Sequence, residues 1–306
     1  MPLIKEMISA MDFNKELSER VGYVNDILLK YLPPAEGLQK TVIDAMHYSV
    51  MSGGKRIRAI LMSETYKMFG GKDEVIEPFI AAMEMIQAYS LVHDDLPALD
   101  NDEYRRGIKS THAMFGEAMG ILAGDALLNY AFETAFKAFS IKPSASKQIA
   151  GALGIFGRKA GLYGMIGGQV VDVETENKTI PLETLDFIHH KKCGALIESS
   201  MMIGAVLAGA DKEEVTVIEA IAADVGFAFQ IRDDILDVTG TTETLGKPAG
   251  SDDKNGKNTY VKYLGIKKAE EEVDSVSNRA LLKLMSLPYD SGFLSELIKS
   301  MINRVK

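Results

Sequence analysis

The sequence predicts an all-α protein, one large helical bundle of ten or more helices, and three observations carry that expectation. Apolar residues recur at helical spacing, as at Leu17, Val21, Val24, Leu28 and Leu32. Breakers such as Pro33-Pro34, Ser52-Gly53-Gly54 and Gly70-Gly71 fall between these runs. No run with strict alternation, bounded by turn residues, marks a strand.

The first helix runs from about residue 12 to 32, where two prolines stop it. A second spans about 35 to 51. A third opens at Lys55-Arg56-Ile57-Arg58 and ends at Gly70-Gly71. The fourth starts near Asp73 and leads into Leu91-Val92-His93-Asp94-Asp95-Leu96-Pro97. Helical patterns follow near 110–139, 144–168, 182–209, 212–238, 260–286 and 290–305. With nine prolines and no evident linker, 1–306 reads as a single domain.

Composition narrows the function classes. The chain has 46% hydrophobic and 25% charged residues, which is globular. A net charge of -9 speaks against nucleic acid or an anionic membrane surface as main partner. The start, Met1-Pro2-Leu3-Ile4-Lys5-Glu6, lacks a signal-peptide pattern. Gly194–Ala210 is apolar but holds Glu198 and falls short of the roughly 20 residues that span a bilayer, so stable membrane insertion is not expected. One cysteine, Cys193, forms no internal disulfide, which fits a reducing, cytoplasmic setting.

The chemistry concentrates in two acidic stretches. Asp94, Asp95, Asp100 and Asp102 crowd together, followed by Arg105-Arg106. Each close pair of carboxylates repels by roughly 1 kcal/mol in water and about 4 at an effective dielectric of 20, so a counter-charge is needed. Without a Cys or His set, a hard ion such as Mg2+ is favoured over zinc. Asp94 and Asp100 stand about 240° apart on a regular helix, and Pro97 clashes with the carbonyl of His93. The helix must therefore kink or end there for the carboxylates to converge. The second stretch is Asp233-Asp234-Ile235-Leu236-Asp237, whose three acids share one helix face.

A solvated acidic face is the ordinary reading of one such cluster. Two clusters, each closing an apolar helix and accompanied by separate basic motifs, point instead to a diphosphate held through divalent ions. The glycines between Gly151 and Gly168 follow no strand and form no dinucleotide site. Gly53-Gly54-Lys55 lacks the remaining P-loop residues.

These motifs, in order, resemble the short-chain trans-prenyl diphosphate synthases, nearest to the bacterial farnesyl type. The likeness runs from about Gly53 onward through Gly53–Arg58, Asp94–Gly107, Gly124–Leu127, Gly167–Asp172, Phe229–Asp237 and Gly246-Lys247-Pro248. It implies a helical bundle of isoprenoid synthase type around a deep central cavity, a homodimer, and three Mg2+ ions, with Mn2+ as an alternative. Asp94, Asp95, Asp100, Asp233, Asp234 and Asp237 align with the family's metal ligands, the last two acting partly through water.

By the same resemblance Arg105, Lys192 and Lys247 grip the allylic diphosphate. Gly54, Lys55, Arg58, Arg106 and Gln87 serve isopentenyl diphosphate, with Cys193 and Gln230 beside the substrates. The Gln169 amide faces the carbocation, and Asp172 orients that glutamine or a nearby lysine. Cys193 stands where the family commonly carries Thr, which removes a hydroxyl. Tyr89, about 7.5 Å along the helix from Asp94, is expected to form with Ser90 a floor that stops growth at fifteen carbons. His93 and His112 read as orienting or core residues, His189 and His190 as helix-surface residues. The implied reaction is head-to-tail coupling to farnesyl diphosphate. Geranyl or geranylgeranyl diphosphate synthesis, a terpene cyclase and a non-catalytic partner subunit are the alternatives.

Overall fold

The computed structural model describes residues 2–240 and 256–304, and for residues 2–11 the backbone alone. Among these residues the fold is all-α, as the spacing predicts. α1 (Pro2–Tyr31) stops before Pro33-Pro34. α2 (Lys40–Met51) and α3 (Ile57–Met68) are separated by the Gly53-Gly54 turn, where both glycines take positive φ. α4 (Glu77–Asp94), with Pro78 in its first turn, is the central helix. Phe79, Ile80, Met83, Met85 and Ile86 are fully buried, and a helix apolar on every side belongs inside a fold. Its length and composition would suit a membrane span, but it is mostly buried in this core.

The predicted helix over 110–139 is three helices, α5 (Thr111–Phe115), α6 (Glu117–Phe136) and α7 (Ala138–Ile141). Gly116, at φ 88, makes the first break. α8 (Ser146–Ala160) and α9 (Met165–Glu174) are parted by the Gly161–Gly164 turn. α10 (Leu182–Ile188) passes through a π-turn, His189–Gly194, into α11 (Ala195–Ala208), so the run expected at 182–209 is not one regular helix. α12 (Lys212–Thr239) starts from a capping box in which Asp211 accepts the Glu214 N–H at 2.9 Å and Glu214 accepts the Asp211 N–H at 2.8 Å. α13 (Tyr260–Leu264), α14 (Ile266–Met285) and α15 (Gly292–Ile302) complete the described chain.

α4 packs along α6, α11 lies among α3, α8 and α12, and α14 covers α12. A two-residue hairpin, β1 (Tyr104–Arg105) with β2 (Ile108–Lys109), departs from the strand-free expectation. Strands this short carry no periodicity to read. Their turn residues, Arg106 (φ 53) and Gly107 (φ 79), both take positive φ, as a two-residue hairpin of the mirror-image type requires.

Candidate active site

The first acid motif is shaped by the end of α4. Regular helix stops at Asp94, and the next residues fold back so that the Asp100 N–H donates to the Asp94 carbonyl at 2.9 Å. The break demanded by Pro97 is therefore present. It brings Asp100 back beside Asp94, where its charge helps to raise the Asp94 carboxyl. Burial is the main cause of that rise, to about 6, against the pull of Lys192 and Arg105. The Gln169 amide donates to Asp94 at 2.7 Å, which turns its own oxygen away from that carboxylate.

Asp95 does not join them. It is 2% exposed and bound by the Arg105 Nε at 2.8 and 2.9 Å; still helical at the cap of α4, with its N–H on the Leu91 carbonyl at 3.1 Å, it points to a different side from Asp94. In this metal-free arrangement Asp94 and Asp100 face one another while the Asp95 carboxylate is engaged by Arg105. Among the described residues, no three Asp, Glu, His or Cys side chains form a ready-made cage.

The second motif divides in the same way. Asp234 and Asp237, which share a helix face with Asp233, are each 3% exposed. Asp234 accepts the Tyr260 N–H at 2.7 Å and lies 3.6 Å from the His189 ring. Asp233 is half-buried on the cavity side and is met by the Arg304 guanidinium, which also stacks over Phe229 at 4.1 Å.

The π-turn stands between the two motifs. Lys192 donates to Asp172 at 2.7 Å, and Asp172 with Asp94 raises its pKa against the opposing effect of burial. At Gly168 on α9, an added Cβ would lie 2.1 Å from the Lys192 backbone nitrogen. At Gly226 on α12, one would lie 2.8 Å from the Cα of Gly194. These close approaches press the turn between two helices. His189 is not a surface residue but buried, its pKa pushed down to about 3 by burial, while His190 is half-buried and stacks flat on Phe227 at 4.5 Å. The core position of His189 has no periodic signal when the helix changes pitch beneath it. The Cys193 thiol is pushed up to about 11 by burial, against Lys192 and Arg58.

Lys257, unremarked in the sequence, completes this side. Its ammonium contacts Glu176 at 2.5 Å, Asp172 at 3.0 Å and Asp100 at 3.6 Å. Burial would raise the Asp172 carboxyl, yet Lys192 and Lys257 together hold it below its ordinary value. The only local signal was a basic residue between Gly256 and the Thr259 cap. Lys247, with Gly246 and Pro248, lies outside the described residues.

A second basic set lines a cavity of about 520 Å³. Gly54, Lys55, Arg58, Gln87 and Arg106 all reach it, as the sequence reading grouped them. Phe229 and Arg304 form the wall toward Asp233; neither Arg304 nor its place here was foreseen. Arg106 donates to the Gly53 carbonyl, and a Cβ on Gly54 would lie 2.8 Å from its guanidinium, so the glycine makes room for the arginine. Arg56, in the same basic run, is structural: buried, it binds Glu84 at 3.1 Å, Asn25 at 3.0 Å and the Val50 carbonyl at 2.8 Å. Gln230 is half-buried beside Phe229.

Beneath Asp94, Tyr89 is 6% exposed and meets the His93 ring edge-on at 5.8 Å. Burial, with Asp94, pushes its phenol up to about 12. The Ser90 hydroxyl donates to the Gln87 carbonyl at 3.0 Å, within its own helix. His93 faces α6, where a Cβ on Gly124 would lie 2.0 Å from its Nε2.

The donor set fits a hard divalent ion. Asp94, Asp100 and Asp233 offer only oxygen, and the cations of Lys257 and Arg304 already stand against Asp100 and Asp233.

The fold and site together define an all-α prenyltransferase. A polyprenyl synthetase family model matches residues 39–284. The farnesyl diphosphate synthase of Geobacillus stearothermophilus is 44% identical over 259 residues, covering 84% of this chain and 86% of that protein. That of Escherichia coli K12 is 39% identical over 301 residues, covering 97% and 100%. A crystal structure of a Helicobacter pylori geranyltransferase complexed with magnesium and isoprenyl diphosphate superposes with a TM-score of 0.82 at 30% identity, covering 94% and 96%. The chain belongs to the polyprenyl synthetase family.

Proposed function

We propose that this chain condenses dimethylallyl or geranyl diphosphate with isopentenyl diphosphate, giving farnesyl diphosphate as its main product. The supporting observation is the division of the cations into two diphosphate-sized groups. Arg105, Lys192 and Lys257 gather at the acid motifs; Lys55, Arg58 and Arg106 line the adjacent cavity. Adjacent arginines in the hairpin serve different groups, since Arg105 turns to Asp95 and Arg106 to Gly53.

Asp94, Asp100 and Asp233 would hold Mg2+, three ions in all with the diphosphate, and Mn2+ would substitute. Bound there, Mg2+ supplies Lewis-acid stabilisation of the departing diphosphate. Arg105, Lys192 and Lys257 add fixed positive charge to the same oxygens, so the allylic C–O bond breaks toward a delocalised cation. Lys55, Arg58, Arg106 and Gln87 orient isopentenyl diphosphate with its double bond toward that cation. The new C–C bond forms from the alkene pair, and a proton leaves to the released diphosphate. Gln169, fixed by its donation to Asp94, presents its amide oxygen for the positive charge. Tyr89 sets chain length.

The enzyme works as a cytoplasmic homodimer. The exposed Ile121, Leu122 and Phe136 along α6 support a self-association surface there. The deciding experiment supplies purified protein and Mg2+ with labelled isopentenyl and dimethylallyl diphosphates. An acid-labile C15 product that requires isopentenyl diphosphate is expected. Product from the allylic substrate alone would make the chain a cyclase, and none at all would make it a non-catalytic subunit.

A further inference from the structure

A strap of four residues, Lys257–Tyr260, touches both acid motifs. At one end the Lys257 ammonium lies 3.6 Å from Asp100 and binds Asp172 and Glu176. At the other, the Tyr260 backbone N–H donates to buried Asp234 at 2.7 Å. The strap is stapled in between. Asn258 donates to the Thr175 carbonyl at 3.2 Å, and the Tyr263 hydroxyl accepts the Ile180 N–H at 3.0 Å while lying 3.0 Å from the Asn258 oxygen.

We propose that this strap is a positioning element that sets the distance between the two aspartate motifs, with the Tyr260 N–H acting on Asp234 as its contact to the second. Asp234 is then an orienting carboxylate and not a metal ligand. A buried carboxylate needs a donor, and a backbone N–H fixed at the first turn of α13 cannot swing away as a side chain can. Anchoring Asp234 fixes the rotation of the last turns of α12. Asp233, about 100° round that helix, is thereby aimed at the cleft. The inference rests on the reading of Asp233 as a metal ligand.

The contact is open to a backbone test. Tyr260 is the first residue of α13 and follows Thr259 in an extended conformation (φ -133, ψ 152), a position that accepts proline. Tyr260→Pro removes the N–H, and Tyr260→Ala controls for the lost side chain. Full-length protein with inorganic diphosphate is titrated with Mn2+, the free ion being read by electron paramagnetic resonance. Tyr260→Pro should bind roughly tenfold more weakly than Tyr260→Ala.

Asp234→Asn, which keeps an acceptor oxygen, should stay within about threefold of the unaltered protein while Asp234→Ala falls to the level of Tyr260→Pro. Equal binding by Tyr260→Pro and Tyr260→Ala would overturn the proposal. So would an Asp234→Asn as weak as Asp234→Ala, the signature of a direct ligand. If Tyr260→Pro does not fold, the Asp234 pair decides alone. An Asp233→Asn that binds Mn2+ normally would instead overturn the metal assignment, and the proposal with it.

Discussion

Replacing Asp94 with Asn should stabilise the metal-free protein at neutral pH while sharply reducing turnover. Burial, reinforced by Asp100 and Asp95 and opposed by Lys192, raises this carboxyl from 3.8 to about 6. A carboxyl whose pKa is higher folded than unfolded binds more protons in the folded state between those values, so stability falls as pH rises through that window. The cost is absent below about 3.8, grows to about 6 and is constant above. Its full size is about 3 kcal/mol, from 1.36 kcal/mol for each factor of ten. Asn keeps an oxygen for the Gln169 amide, so that hydrogen bond survives. Urea unfolding in EDTA should show Asp94→Asn gaining about 2 to 3 kcal/mol at pH 8 and nothing at pH 3.5. Activity with Mg2+ should drop by roughly a hundredfold or more. A gain equal at both pH values, or a loss at pH 8, would refute the electrostatic reasoning.

Three more outcomes are expected. Tyr89→Ala should shift products on chromatography by at least one five-carbon unit. Tyr89→Phe should leave them unchanged, since the buried hydroxyl has no protein hydrogen-bond partner and only ring volume counts. Gly168→Ala should cost roughly 3 kcal/mol by thermal unfolding and strongly reduce activity, because the added methyl meets the Lys192 backbone at 2.1 Å. Cys193, its thiol near 11, should carry roughly one thiolate per thousand molecules at pH 8 and react with iodoacetamide more than about a hundredfold slower than free cysteine. Rapid labelling would show that the site is more open or more cationic than described.

Much of this was legible in the order of residues. Pro97 alone required α4 to end near Asp94, and the helix ends there. Lys55, Arg58, Gln87 and Arg106, grouped by the family resemblance, line one cavity. What escaped was whatever depends on a partner distant in the chain. Asp95 belongs to Arg105, Asp234 to the Tyr260 backbone and Asp233 to Arg304, and nothing in helical spacing distinguishes a carboxylate facing a cleft from one facing a neighbouring main chain. Lys257 stayed hidden because its three acids lie at 100, 172 and 176. The π-turn was invisible because 182–209 keeps an apolar stripe on both sides of the change in pitch, and only the close approach of Gly168 and Gly226 reveals it.

That turn carries one surplus residue, and the surplus works as an angular offset. Deleting a single residue within 189–194 would restore an ordinary helix and rotate α10 relative to α11 by about 100°. Sequence change at this point is measured in degrees of aim more than in side-chain chemistry. A lineage, or an experimenter, could redirect the lysine at the centre of the cleft by changing the length of the turn while leaving the lysine itself in place.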